Sequence, residues 1–347
     1  MSQRRQQAIV MGLVALAAAT TARAGADAMN VQRGDYRGWA DTYTLSNGLV
    51  EVVVPTAIGP RVLDFHLAGG ENIFYLRPSD LGKTGEPDFV FRGGWRLWIA
   101  PETRSTTYEP DNQPCTVTVL GSGALRFTGP AQPTAGIQKS IEVALIEHQP
   151  RVRVTSRIKN VSDRTLDYAA WSLSVMRPGG RALAPMDVGD LTAFFDTRSL
   201  ILWSYTKVAD ARYRFGDALV QVDQSQVPPA PASASGRRAD ESKIGVDTMQ
   251  AWAAYLRGDV LYVKRFPHQP GASYADGGAT VEIYSSNEFI EVENLSPLTS
   301  LKPGEEIVYP EEWSLFSGAS VATDEAAALR DLEPWLTKAP AVDRTTH

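Results

Sequence analysis

The chain has 347 residues, 43% hydrophobic and 21% charged, a globular balance that fits neither a disordered chain nor a membrane-embedded one. Its 34 Lys and Arg against 40 Asp and Glu leave a net charge of -6, with no run of Lys or Arg longer than two, which argues against a nucleic-acid partner held by clustered cations. A single cysteine, Cys115, stands beside 8 Trp, 12 Tyr and 11 Phe, so neither an internal disulfide nor a cysteine metal cage is available and core burial must carry the stability.

The N-terminus reads as an export signal: Arg4 and Arg5, an apolar run from Ala8 to Ala19, then Ala22-Arg23-Ala24 as the cleavage site. The run is shorter than the roughly 20 residues of a membrane span. Cleavage is expected after Ala24, and with no cysteine beside it no lipid anchor is expected. That gives a signal peptide over 1–24 and a periplasmic or secreted mature protein. The sequon Asn160-Val161-Ser162 carries little weight in a bacterial host.

Beyond the signal, alternation of period two predicts strands at Leu49 to Val54, Arg61 to Leu67, Val117 to Leu120 and Ile141 to Leu145. Arg151 to Ile158 is the clearest, with Arg151, Arg153, Thr155 and Arg157 on a wet face and Val152, Val154, Ser156 and Ile158 on a dry one. Further strands are predicted at Leu166 to Met176, Leu200 to Tyr205, Trp252 to Leu256, Val260 to Arg265, Val281 to Tyr284, Phe289 to Leu295 and Ile307 to Phe316. The criteria give about fifteen strands joined by connections too short for helical crossovers, hence two large antiparallel sheets packed together. One helix is predicted from Asp324 to about Leu332, capped by Thr323 and stopped by Pro334. The Pro, Ala and Ser-rich stretch at 227–240 reads as a loop inserted in a single domain spanning 25–347.

Familiar catalytic constellations are missing from the sequence: there is no H-E-x-x-H, no G-x-S-x-G elbow, and no glycine-rich phosphate loop after a strand. No metal site and no cofactor are expected. Of the four histidines, His66 falls in a strand and His268 in the loop Phe266-Pro267-His268-Gln269-Pro270, while His148 and His347 read as solvated. The densest signal is Phe91 to Glu102, where Arg92, Trp95, Arg96, Trp98 and Glu102 surround Gly93-Gly94. Such a mixture suits a sugar, because a ring plate fits the C–H face of a pyranose and forked polar groups fit its hydroxyls. It equally suits a structural hairpin with core Trp residues and a surface ion pair. A second concentration lies at Glu282-Ile283-Tyr284 and Phe289 to Asn294, where Glu291 and Glu293 share a strand face. In a pocket, their repulsion raises at least one pKa and makes a general acid or base; on an open face they are simply solvated. Lys243 and Lys264 are the cations placed to compensate them.

Arg92 to Trp98, Trp171 to Gly180, Leu202 to Tyr205, Lys243-Ile244-Gly245, Tyr274 to Gly278, Phe289 to Leu295 and Glu311 to Leu315 resemble the bacterial family termed domain of unknown function 4380, DUF4380. The resemblance spans nearly the whole mature chain. That family in turn resembles a branch of the galactose mutarotase-like superfamily, which implies an all-β, large antiparallel supersandwich with a sugar on a concave sheet face and, here, a short C-terminal helix. In the superfamily's aldose 1-epimerases a carboxylate takes the anomeric proton and a histidine protonates the ring oxygen. The motif Glu293, Pro297 and Pro303-Gly304 is similar to theirs, which implies Glu293 as base. Arg92-Gly93-Gly94 is similar to an R-G-G segment of the hexose-phosphate epimerases, whose arginine helps bind substrate. Where the histidine motif belongs, this sequence has Ala170-Trp171-Ser172, so a displaced acid such as His268 is required for catalysis.

Three functions are in play. The first is an exported carbohydrate-binding protein without the standard epimerase acid, holding a saccharide through Arg92, Trp95, Arg96, Glu102, Trp171, Lys243, Lys264, Glu291 and Glu293. The second is an aldose 1-epimerase-type isomerase with Glu293 as base and His268, or a lysine of lowered pKa, as acid. The third is an accessory module that binds another exported protein through a sheet edge.

Overall fold

The structure is a computed structural model that describes residues 30–189, 192, 198–227 and 240–342. The expected signal peptide lies outside the described residues, as does the 227–240 loop apart from its two end residues. The described residues form 22 strands, more than the alternation rule finds. Trp95–Ala100, Arg181–Pro185 and Ser242–Val246 are buried at every position. A strand covered on both faces shows no polar–apolar alternation, so these escape a period-two reading.

Every strand pairing is antiparallel, as in Arg151–Asn160 with Glu306–Phe316 and Leu166–Met176 with Ile290–Leu295. Three sheets of ten, eight and four strands result. The dry face expected of Arg151–Asn160 is observed: Val152, Val154, Ser156 and Ile158 are wholly buried. One apolar cluster, running from Leu45 in the four-stranded sheet through Trp95 and Val152 to Trp313 and Leu315, fills the space between the sheets. Cys115 lies in this cluster, just before the edge strand Thr116–Val119, and burial pushes its thiol up to about 12.

The helix is longer than expected, Glu325–Lys338, with the Asp324 carboxylate rather than Thr323 capping it by accepting from the Ala327 N–H at 3.0 Å. Pro334 does not stop it. Trp335 and Leu336 continue the stripe that Ala328 and Leu332 bury against the outer side of the ten-stranded sheet, and Arg265 donates to the carbonyls of Leu336 and Ala339 at the C-terminal end. Packing and capping thus carry the helix past the proline.

Polar groups also occupy the space between the sheets. Lys264 is fully buried and donates to Ser172 Oγ at 2.8 Å and Ser174 Oγ at 3.2 Å, with Glu311 at 3.7 Å. The same Glu311 accepts from Ser172 at 2.9 Å and from the Trp313 indole at 2.7 Å. Burial lowers the Lys264 pKa to about 8 despite Glu311 and Glu293. Glu311→Leu should therefore cost about 3–5 kcal/mol in urea unfolding, because it leaves a buried cation unpaired. Lys264→Met in the same chain should recover part of the loss but not all, since the Trp313 indole stays unpaired. A double variant no more stable than Glu311→Leu alone would show that the pair is not the source of the cost.

Candidate functional site

The side of the eight-stranded sheet turned away from the core carries a hollow of about 460 Å³. Its floor is laid by five neighbouring strands: Ser242–Val246, Val281–Ser285, Ile290–Leu295, Leu166–Met176 and Trp95–Ala100. Alternation decides which side chains reach it. Trp95, Leu97 and Ile99 turn into the core, leaving Arg96 and Trp98 in the hollow. Likewise Ile290 and Val292 turn inward while Glu291 and Glu293 turn outward.

Register then brings charges together. Glu282 lies directly across from Glu293 on the neighbouring strand, a like-charge placement that destabilises a sheet unless compensated. Lys243, from the next strand, supplies the compensation: its ammonium is 2.6 Å from Glu282 and 2.9 Å from Glu293. It also sits over the rings of Trp171 and Trp203 at 4.4 and 4.8 Å. The Trp171 indole N–H donates to the same Glu293 oxygen, Oε2, at 2.8 Å, while Oε1 has no hydrogen-bond partner among the described residues. Two residues along, Arg96 donates to Glu291 at 2.8 Å and lies over Phe91 and Trp98 at 4.9 and 4.3 Å.

Burial works to lower the Lys243 pKa, but Glu282 and Glu293 together overcome it and hold the ammonium well above the usual lysine range. For Glu282, burial raises the pKa against Lys243, with Glu293 and Asp276 adding to the rise. Glu291 is pushed up to about 7, first by burial and then by Glu293, with Arg96 opposing.

Loops build aromatic walls on this floor. Phe89, Trp98 and Tyr108 meet ring to ring at 4.8 to 5.5 Å, and Trp98 packs edge-on against Trp171 at 5.4 Å. On the other side Phe91 stacks on Phe289 at 4.6 Å, which in turn touches Tyr284. Glu102 stands at the exposed rim, accepting from Tyr108 OH at 2.6 Å. Among the described residues no group of three or more His, Cys, Asp and Glu is arranged to hold a metal ion.

Of the residues singled out in the sequence, Arg96, Trp98, Glu102, Trp171, Lys243, Glu291 and Glu293 line this hollow. Four do not. Arg92 is fully buried in a loop clamp, with its guanidinium bonded to Glu86, Asn112 and the Lys83 carbonyl. The Gly93-Gly94 pair brings backbone close to backbone: a Cβ at Gly93 would fall 2.1 Å from the Tyr75 carbonyl oxygen, and one at Gly94 would fall 2.3 Å from that of Val62. Trp95 is a core residue that donates to Ser172 Oγ at 2.6 Å, because its parity on the strand is opposite to that of Trp98. Lys264 lies on the core side of the same floor. His268 lines a separate hollow with Pro267, Ser296 and Tyr309, stacked on Tyr274. His66, outside the site, is held between Asp64 at 2.8 Å and Glu51 at 3.3 Å.

The sequence names Glu282 beside the carboxylate pair without giving it a role, and it does not point to Trp203, Tyr205 or Tyr108 as site residues. The role of Glu282 comes from register, which sets it directly across from Glu293. The walls come from loops, where no periodicity marks a facing side.

The raised Glu291 pKa has a stability consequence. An acid whose folded pKa is raised contributes stability that is complete below its unfolded value, near 4.3, and is lost as pH rises through about 7. Glu291→Gln should therefore flatten the fall in unfolding free energy between pH 4.5 and pH 7.5 by on the order of 2–3 kcal/mol. Parallel urea titrations of the two proteins measure this, and superimposable pH profiles would refute it.

Comparison with known proteins agrees with this architecture. Among solved structures, a putative aldose 1-epimerase from Klebsiella pneumoniae subsp. pneumoniae is similar at a TM-score of 0.55 and 11% identity, over 92% of this chain and 91% of that one. The Slr1438 protein from Synechocystis sp. PCC 6803 gives 0.54 at 12% identity, over 83% and 99%. A galactose mutarotase-like protein from Clostridium acetobutylicum gives 0.51 at 10% identity, over 83% and 99%. At such identities the likeness shows the fold, a galactose mutarotase-like β-sandwich. No curated protein sequence matches the chain. The model of the family described as Domain of unknown function (DUF4380) matches residues 111–316, more than half of the chain, and the protein belongs to that family.

Proposed function

We propose that this is an exported carbohydrate-binding protein of mutarotase-like fold that lacks the histidine acid of the aldose 1-epimerases. The observation that carries the binding half is the hollow itself, in which aromatic walls enclose a floor of directional charged groups. A pyranose presents the complementary surfaces, with apolar C–H faces and a ring of hydroxyls. The solved structures of similar fold include a putative aldose 1-epimerase, which is consistent with a sugar as ligand. Export rests on the layout of residues 1–24.

Three features favour binding over ring opening. Glu293 is 0% exposed and its Oε2 is already held by Lys243 and Trp171, whereas a general base must come within hydrogen-bond reach of the proton it removes. Glu282 and Glu293 hold the Lys243 ammonium well above the usual lysine range, the opposite of the lowered pKa that the lysine-acid alternative calls for. His268 faces a different hollow. The isomerase alternative keeps one specific observation, the near-neutral Glu291 beside Glu293 on the same strand face.

Two measurements separate these readings. Trp98→Ala should weaken saccharide binding about tenfold or more in calorimetry, given the usual worth of a buried aromatic contact, while leaving the circular dichroism spectrum unchanged. If no mono- or oligosaccharide in a glycan array binds the intact protein, the proposal fails. Saturation-transfer NMR on glucose anomers should show exchange no faster than buffer. Faster exchange that Glu293→Gln abolishes would establish the isomerase instead.

A further inference from the structure

A second hollow, of about 630 Å³, opens beside the first. Tyr75 stands between them: it lines the second, and its ring stacks at 5.8 Å on Phe289, which lines the first. Three arginines from separate parts of the chain line the second hollow. Arg37 follows the strand Asn30–Tyr36, Arg177 follows Leu166–Met176, and Arg257 ends Trp252–Arg257. The acids among the lining residues are Asp64 and Glu71. Even with both acids ionised, three permanent guanidinium charges face two carboxylates.

Two of the arginines converge on one point. Arg177 Nη1 is 2.5 Å from Glu71 Oε2, and Arg257 Nη1 is 3.6 Å from the same oxygen. Arg257 is anchored through Nε, which donates to the Pro178 carbonyl at 3.1 Å. The Nη2 groups of both arginines have no hydrogen-bond partner among the described residues. Arg37 donates from Nε to Tyr36 OH at 3.1 Å, and neither of its Nη groups is bonded among the described residues. The convergence is a preformed oxyanion position that the chain's own carboxylate fills.

That carboxylate is a weak occupant. The Glu71 side chain is 72% exposed, so its ion pair is worth little and an incoming anion displaces it at small cost. Asp64 has both oxygens covered, one by the Tyr36 hydroxyl and the other by His66 Nδ1 at 2.8 Å. With Glu71 turned out to solvent, three cations face one acid. A phosphate dianion matches that excess of two and brings the acceptor oxygens that forked guanidiniums bind in pairs. A single carboxylate gains only what Glu71 already supplies.

We propose that this hollow binds a phosphate dianion, free or as a monoester, seated on Arg177 and Arg257 in place of Glu71 with Arg37 as the third contact. Calorimetry on the full chain with inorganic phosphate, glycerol 3-phosphate and acetate tests this, at about pH 7.5, where the second phosphate proton is off. At least one phosphate should bind with a Kd of about 1 mM or tighter, and acetate at least about tenfold more weakly. Tighter binding of the ester assigns the group to an organic phosphate; equal or tighter binding of the inorganic ion assigns it to free phosphate. Glu71→Gln removes the competing carboxylate and should tighten phosphate binding about threefold. Arg257→Gln should weaken it about tenfold. Because Arg257 is half-buried, Arg37→Gln at the exposed turn serves as a second variant, with a loss of roughly threefold. Failure of both phosphates to bind at about 1 mM would overturn the proposal. So would acetate binding as tightly as phosphate, or a Glu71→Gln affinity no higher than that of the unchanged protein.

Discussion

The strand Leu166–Met176 has no wet side over its central part: every residue from Ala169 to Met176 is buried. A sheet with one face in water can leave its outward polar groups to solvent. Here each face must be satisfied within the protein, because an unpaired buried polar group costs a large part of its hydration energy. On the core side, Ser172 accepts from Trp95 and Lys264 and donates to Glu311. On the outer side, Trp171 donates to Glu293, which Lys243 also binds. The two networks lie on opposite sides of one strand and sense each other, since Glu293 acts on the Lys264 ammonium through the sheet. A floor tied down from both sides offers fixed charges to whatever enters the hollow.

That arrangement also decides what could be read in the sequence. The supersandwich was legible, because most of its long strands alternate or carry turn residues at their ends, and Leu166–Met176 and Val260–Arg265 match their expected bounds. The pairing of Glu291 with Glu293 on one face followed from parity alone. Trp95 shows where that reasoning stops. In Trp95–Ala100 both faces are buried, so residue type does not reveal which Trp faces the core, and only the neighbours in the sheet assign it. Arg92 misled for a related reason. Its glycine neighbours do mark a close approach, but to the chain's own carbonyls, and its guanidinium holds a loop. The Pro334 expectation failed because tertiary packing of Trp335 and Leu336 outweighs a local helix-breaking preference.

Stability alone does not account for the floor of the hollow. Removing two acids and a cation from water is expensive, and apolar side chains of similar volume commonly hold such a position at equal or lower free energy. The neighbouring strands show that this solution was open to the fold, since the core side of the same sheet is filled by Ile244, Ile283, Val292 and Leu97. The charges are confined to the outer side, where Glu291 reaches an open volume and Trp98 and Tyr108 line it. Within that floor the roles divide. Glu282 and Glu293 fix Lys243 and thereby the faces of Trp171 and Trp203, so their carboxylates act through position. Glu291 is bonded to Arg96 through Oε1 and borders the open volume. A carboxylate that matches an epimerase base by motif is thus engaged in building the pocket, held by Lys243 and Trp171 on one oxygen.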